Sequence, residues 1–120
     1  MKVLVVDDSK AMRMIVKRTL RQAGFGHFEV VEAENGQDAL SKIEAEAPQL
    51  ILSDWNMPEM SGIELLDKLA ESGSKVKFGF VTSEGSDSMR QRATESGALF
   101  LIAKPFNADT FKEILSPHVS

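Results

Sequence analysis

Val3-Leu4-Val5-Val6-Asp7-Asp8 (residues 3–8) sets four apolar residues directly against two carboxylates. A short unbroken apolar run fits a strand buried on both faces of a parallel sheet, because a strand with one wet face would alternate. Two acids cannot follow it into the core unpaired, so they mark the strand's end. The pattern recurs along the chain. Leu50–Leu52, Phe78–Val81 and Leu99–Ala103 are further apolar runs, and Phe28–Ala33 is one broken by Glu29 and Glu32. Asp54 follows the third after Ser53, Thr82 follows the fourth, and Lys104 follows the fifth.

Helical patterns fill the intervals. Met12, Ile15, Val16, Thr19, Leu20 and Ala23 keep the i, i+3, i+4 rhythm of a first helix, stopped by Gly24. Asn35-Gly36 opens a second, whose buried face is Ala39, Leu40, Ile43 and Ala47, and Pro48 ends it. Ser61-Gly62-Ile63-Glu64 has capping-box spacing and starts a third, running to Ser72. The fourth follows Gly85-Ser86, presents Met89 and Ala93, and stops at Gly97. The fifth starts at the N-cap Asn107, carries Phe111, Ile114 and Leu115 inward, and is limited by Pro117. Five strand–helix pairs with short connections predict an α/β, doubly wound (βα)₅ fold with right-handed crossovers. A five-stranded parallel sheet in the flavodoxin-like order 2-1-3-4-5 brings the first and third strands together, and one domain fills residues 1–120.

The bulk numbers agree. A chain of 120 residues, 42% hydrophobic and 27% charged, suits one globular domain with a real core. A formal charge of −4 without a basic cluster argues against a nucleic-acid partner. Arg13, Lys17, Arg18 and Arg21 are spread along the first helix and read as a solvated face. The absence of cysteine excludes disulfides, thiolate metal sites and a Cys nucleophile. No apolar run approaches the ~18 residues of a membrane span, and Met1-Lys2 leads into only a short apolar stretch, unlike a signal peptide. A cytoplasmic protein without a membrane partner is the expectation.

In doubly wound sheets, ligands bind beyond the carboxyl ends of the strands. Asp7, Asp8, Asp54, Thr82 and Lys104 all fall there. Each alone reads as a cap or turn residue; together they form a constellation. Two carboxylates 4 Å apart repel by roughly 4 kcal/mol at an effective dielectric of 20. Such a cluster therefore calls for a cation or a retained proton. Oxygen donors and no sulfur favour a hard ion, Mg²⁺. Asp8 and Asp54 suit direct ligation, Asp7 a bound water, and a backbone carbonyl at Asn56 one further position. A carboxylate attacking phosphorus gives an aspartyl phosphate. Lys104 and the Thr82 hydroxyl would then bind phosphoryl oxygens, and Lys104 would neutralise Asp54 beforehand.

At these residues the chain resembles the receiver domains of two-component response regulators, and among them the single-domain chemotaxis members. The matching pieces are Val5-Val6-Asp7-Asp8-Ser9, Asp54-Trp55-Asn56-Met57-Pro58-Glu59-Met60-Ser61-Gly62, Val81-Thr82-Ser83-Glu84 and Lys104-Pro105-Phe106. They stand in the family's order and span essentially the whole chain. The resemblance implies Mg²⁺ at Asp7 and Asp8, phosphorylation of Asp54, and phosphoryl contacts from Thr82 and Lys104. It also implies a cis Lys104–Pro105 bond and a tuning role for Asn56 and Glu84 in the lifetime of the phosphorylated state. Where the family has a switch aromatic, three residues before the lysine, this chain has Leu101, and Phe100 beside it should face the opposite side of the sheet. The fourth helix opens with Gly85-Ser86-Asp87-Ser88, which is not basic as in the chemotaxis members.

Three functions compete at this level. In the first, a histidine kinase phosphorylates Asp54 and the chain changes its binding to a downstream protein, with the flagellar motor switch as one candidate. The surface for that partner is the face of the fourth helix, fifth strand and fifth helix, around Met89, Arg90, Leu101, Asn107 and Phe111. The chain is expected to hold no output domain, so that its output is protein binding or a domain lost by truncation, and to be a monomer, with a phosphorylation-dependent dimer as the alternative. It would be no enzyme beyond catalysing its own phosphorylation and dephosphorylation. The second is a Mg²⁺-dependent aspartyl-phosphate phosphohydrolase, weakened because Asn56 stands where such enzymes carry a second acid. The third is an FMN-binding flavodoxin-like module, weakened by an acidic pocket that repels a phosphate.

Overall fold

Alternating strands and helices are what the computed structural model contains, and it describes residues 1–83 and 85–119. In chain order they are β1 (Lys2–Val6), α1 (Lys10–Leu20), β2 (Glu29–Ala33), α2 (Gly36–Glu46), β3 (Leu50–Ser53), α3 (Gly62–Glu71), β4 (Lys77–Thr82), α4 (Asp87–Glu95), β5 (Phe100–Ala103) and α5 (Ala108–Leu115). The strands pair in parallel in the order β2-β1-β3-β4-β5, as expected. β1 lies beside β3 with Val6 opposite Ser53, which levels the two strand ends.

Side-chain alternation along the buried strands divides the core in two. Leu4, Val6, Ile51, Phe78, Phe80 and Leu101 pack on one face with Ala39 of α2, Leu65, Leu66 and Leu69 of α3, and Ala93 of α4. Val3, Val5, Leu50, Leu52, Val81 and Ile102 pack on the other, with Val16 and Leu20 of α1 and Phe111 and Leu115 of α5. Phe100 belongs to this second face and lies against His118, opposite to Leu101, as the strand period requires.

Asn35, Ser61, Ser86 and Asn107 cap the helices where the spacing put them, and Ser9 caps the first; each accepts a backbone N–H from the first turn. Ser61 and Glu64 complete the capping box. Three details differ from expectation. After Leu20 the first helix continues as a single π turn, Arg21–Phe25, with Gly24 left-handed at φ 97°. Ala47 is exposed and left-handed at φ 48°, outside the buried face of α2, because Pro48 bars the helical conformation at the residue before it. Phe111 is fully buried against Phe106, so it supports the expected partner surface from below and cannot line it. A side chain on the inward stripe of a short helix is spent on the core.

Candidate functional site

The site begins where the β1 and β3 ladders run out. Asp7 is the first residue past β1 and is buried, with its amide donating to the Ala33 carbonyl at 3.1 Å. Its Oδ1 accepts the Ser9 amide at 2.9 Å, while Ser9 Oγ caps α1 by accepting the Met12 amide at 3.2 Å. One turn thus both starts the helix and aims the carboxylate. The Asp54 amide carries the β1–β3 ladder one step further, donating to the Val6 carbonyl at 2.9 Å. Asp54 Oδ1 accepts the Trp55 amide at 2.9 Å. Asp8 is exposed at the mouth.

Lys104 reaches in from the end of β5. Its Nζ lies 3.3 Å from Asp7 Oδ2 and 3.7 Å from Asp54 Oδ1, and its side chain is only 16% exposed, so this is a partly desolvated contact and not a surface pair. Its amide donates to the carbonyl of buried Thr82 at 2.8 Å, which holds the ends of β4 and β5 together, and the Lys104–Pro105 bond is cis. Burial pushes the Asp54 carboxyl above its ordinary pKa; Lys104 and the Trp55 amide oppose that, and the charges of Asp7 and Asp8 add to it. The carboxylates thus outnumber the single ammonium among them.

Asp7, Asp8 and Asp54 each present a carboxylate oxygen, all within 4.8 Å of one another. Three oxygen donors at that spacing fit one octahedral hard cation with water completing its shell, and do not fit a soft metal. Asn56 is exposed two residues beyond Asp54 in the same loop. Trp55 is half-buried, its ring 4.7 Å from that of Phe80. Glu84 lies outside the described residues.

The residues of the expected partner surface lie on α4, β5 and the start of α5. Arg90 of α4 is exposed and donates to the carbonyls of Gly85 at 3.2 Å and Leu101 at 3.4 Å. Met89 is half-buried, Asn107 is exposed at the α5 cap, and Leu101 is 7% exposed beneath.

Two contributions to the site escape the sequence reading. Gly62 begins α3 against the Asp54 loop: its amide donates to the Trp55 carbonyl at 2.7 Å, and any Cβ there would collide with the Asp54 carbonyl and the Phe80 ring. The Ser-Gly pair reads from sequence as a cap, which hides this contact. Arg13 is no solvated residue: its side chain is 13% exposed, with Nη1 donating to the Asp7 carbonyl at 2.6 Å and Nε to Glu32 at 3.0 Å.

The response regulator receiver domain profile matches residues 3–116. Chemotaxis protein CheY1 of Helicobacter pylori is 39% identical over 118 residues, covering 96% of this chain and 94% of its own. The Campylobacter jejuni CheY homolog is 40% identical over 118 residues, covering 96% of this chain and 89% of its own. The solved structure of chemotaxis protein CheY4 of Vibrio cholerae superposes with a TM-score of 0.85 at 36% identity, covering 98% of both chains. The hydrolase and flavin-binding alternatives gain no support from these relatives. With a family profile spanning nearly the whole sequence and near-full-length relatives at this identity, the chain belongs to the response regulator receiver domain family.

Proposed function

We propose that Asp54 is the phosphoryl acceptor of this receiver and that Asp7, Asp8, Asp54 and the Asn56 carbonyl hold the Mg²⁺ that receiver domains bind at an acidic pocket. The family role is a phosphorylation-dependent two-component switch, with a histidine kinase as donor and a protein target downstream. The observation that carries the residue assignment is the position of Lys104 Nζ between Asp7 and Asp54, beside three clustered carboxylates. Lys104 opposes the effect of burial on the Asp54 carboxyl, favouring its charged, nucleophilic form.

In the transfer, an Asp54 carboxylate oxygen forms a bond to phosphorus as the donor's P–N bond breaks, and the electron pair leaves with the imidazole nitrogen. Lys104 moves from charge partner of Asp54 to ligand of a phosphoryl oxygen, and Thr82 binds another through its hydroxyl. Asp7, Asp8, Asp54 and the Asn56 carbonyl would hold Mg²⁺, which would supply positive charge to the transferring group. In the reverse chemistry water attacks phosphorus, the Asp54 O–P bond breaks, and inorganic phosphate leaves. Asn56 and Glu84, each two residues past a site residue, tune access for that water. These self-directed steps are the only catalysis in this reading.

The output follows from the Thr82 end. Thr82 is paired with Ala103 in the β4–β5 ladder, so a shift of Thr82 toward a phosphoryl group repacks Leu101 and the α4–β5–α5 face around Met89, Arg90 and Asn107. A protein target of the chemotaxis type, with the motor switch as candidate, would read that face. The isolated receiver would be monomeric before phosphorylation, with dimerisation through this face as the phosphorylated alternative.

Incubation with Mg²⁺ and a small acyl phosphate, followed by intact-mass measurement, tests the assignment. The wild type should gain one phosphoryl group, and Asp54→Ala should gain none. Modification of the Ala variant to the same extent would overturn it.

A further inference from the structure

The carbonyl of Asp7 is held by a charged fork from α1. Asp7 is 4% exposed, so its carbonyl sits among buried backbone groups, where a missing partner is costly. Arg13 supplies that partner through Nη1 at 2.6 Å, and at the same time places Nε 3.0 Å from Glu32 Oε1. Glu32 is held in turn: Lys17 Nζ is 3.3 Å from its other oxygen, and Lys42 Nζ of α2 donates to its carbonyl at 2.9 Å. Glu32 stands opposite Val5 in the β1–β2 pairing, one step before Ala33, whose carbonyl accepts the Asp7 amide. The backbone of Asp7 is therefore held at both ends, the Val6–Asp7 peptide by β2 at the amide and the Asp7–Asp8 peptide by Arg13 at the carbonyl. The next residue in the chain is Asp8.

Resting on the reading of the acidic cluster given above, we propose that Arg13 is a positioning residue for cation binding: its bond to the Asp7 carbonyl, anchored by Glu32, fixes the Asp7–Asp8 peptide and hence the direction in which Asp8 presents its carboxylate. Arginine is required for the geometry. Its planar guanidinium serves two acceptors in different directions at once, whereas the single ammonium of lysine carries charge without the fork.

Two physical effects of Arg13 act on cation binding with opposite signs, which makes the role decidable. As a positive charge near three carboxylates, Arg13 repels a cation, so removing it should tighten Mg²⁺ binding if the field were all that mattered. As a positioning group, its loss frees the peptide and weakens binding. Arg13→Lys keeps the charge and loses the fork; Arg13→Gln loses both.

The test is a Mg²⁺ titration of the wild type, Arg13→Lys, Arg13→Gln and Glu32→Gln, followed by Trp55 fluorescence and by calorimetry, with amide NMR spectra of the metal-free proteins. Both Arg13 variants should bind Mg²⁺ about tenfold more weakly or worse, the usual scale for removing a group that orients a metal ligand. Glu32→Gln should shift in the same direction by less. In the metal-free spectra the Asp8 and Ser9 amides should move and exchange faster, while those of β4 and β5 stay in place. An Arg13→Lys protein with wild-type affinity, or an Arg13→Gln protein that binds more tightly, would overturn the proposal. Should Arg13→Gln fail to fold, the lysine variant carries the same decision. A wild type that binds no Mg²⁺ would remove the reading of the acidic cluster, and the metal-free spectra would still decide whether Arg13 fixes the Asp7–Asp8 peptide.

Discussion

The carboxyl end of β1 and the α4 edge of the same sheet are held in opposite ways. At the first, Asp7 is tied through its amide to β2, through its side chain to α1 and Lys104, and through its carbonyl to Arg13. At the second, α4 buries Ala93 alone among its nine residues, and its Arg90 makes two long bonds from an exposed position. Its neighbour α3 buries Gly62, Leu65, Leu66 and Leu69 and carries a full capping box. The chemistry of a switch needs a fixed constellation, whereas its readout needs an element that can move for little free energy. In the proposed switch, the two requirements would be met by different densities of anchoring on one sheet.

Unfolding measurements attack that contrast first. Leu65→Ala, in α3, should lose about 2–5 kcal/mol in urea unfolding, as for other buried leucines. Ala93→Gly, at the one buried position of α4, should lose only about 1 kcal/mol, mostly helix propensity. Equal losses would mean that α4 is anchored as firmly as α3. Lys104→Met tests the rigid end: with acyl phosphate as donor, the initial rate of mass gain should fall roughly 100-fold, the lower end of what one lost oxyanion donor costs. A rate near wild type would show that the ammonium between Asp7 and Asp54 plays no part in transfer.

The smallest expected effect concerns Glu32. Burial works to raise its carboxyl pKa, but its hydrogen bonds and charge pairing with Arg13 and Lys17 outweigh that and hold it below the ordinary value. A carboxyl depressed on folding contributes stability above its unfolded pKa and loses that contribution as pH falls through its folded one. The wild type should therefore exceed Glu32→Gln in stability at neutral pH, with the gap closing in acid. Because Glu32 is about one-third exposed, the gap should stay below about 1 kcal/mol. A gap that persists at low pH would assign it to packing and not to charge.

Much of this was legible from the chain alone, for identifiable reasons. Mostly unbroken apolar runs, four of them ending in a polar or charged residue, gave away buried parallel strands, and leveled strand ends turned residues remote in sequence into one site. Caps were readable because Ser, Asn and the Ser61–Glu64 pair act within four residues. Arg13 was misjudged because its partners are the Asp7 carbonyl and a side chain nineteen residues on, joined only by the β1–β2 register. Helical spacing says which side of a helix a residue occupies, not what faces it there. Phe111 went wrong by the converse route: its place in a familiar partner surface competed with its inward phase on α5, and the core won.

The contact of Gly62 with the Asp54 loop bears on how this site can vary. Position 62 holds no functional group and takes part in no chemistry, yet the Asp54 carbonyl and the Phe80 ring occupy the space a β-carbon would need. It acts as a gauge block, setting the distance between the α3 terminus and the Asp54 loop by the thickness of a bare backbone. Substitutions there would displace Asp54 without touching it, and a survey scored on phosphorylation alone would rank Gly62 beside the acids. Spacing and reactivity are separate inheritances at this site, and only one of them is visible as a side chain.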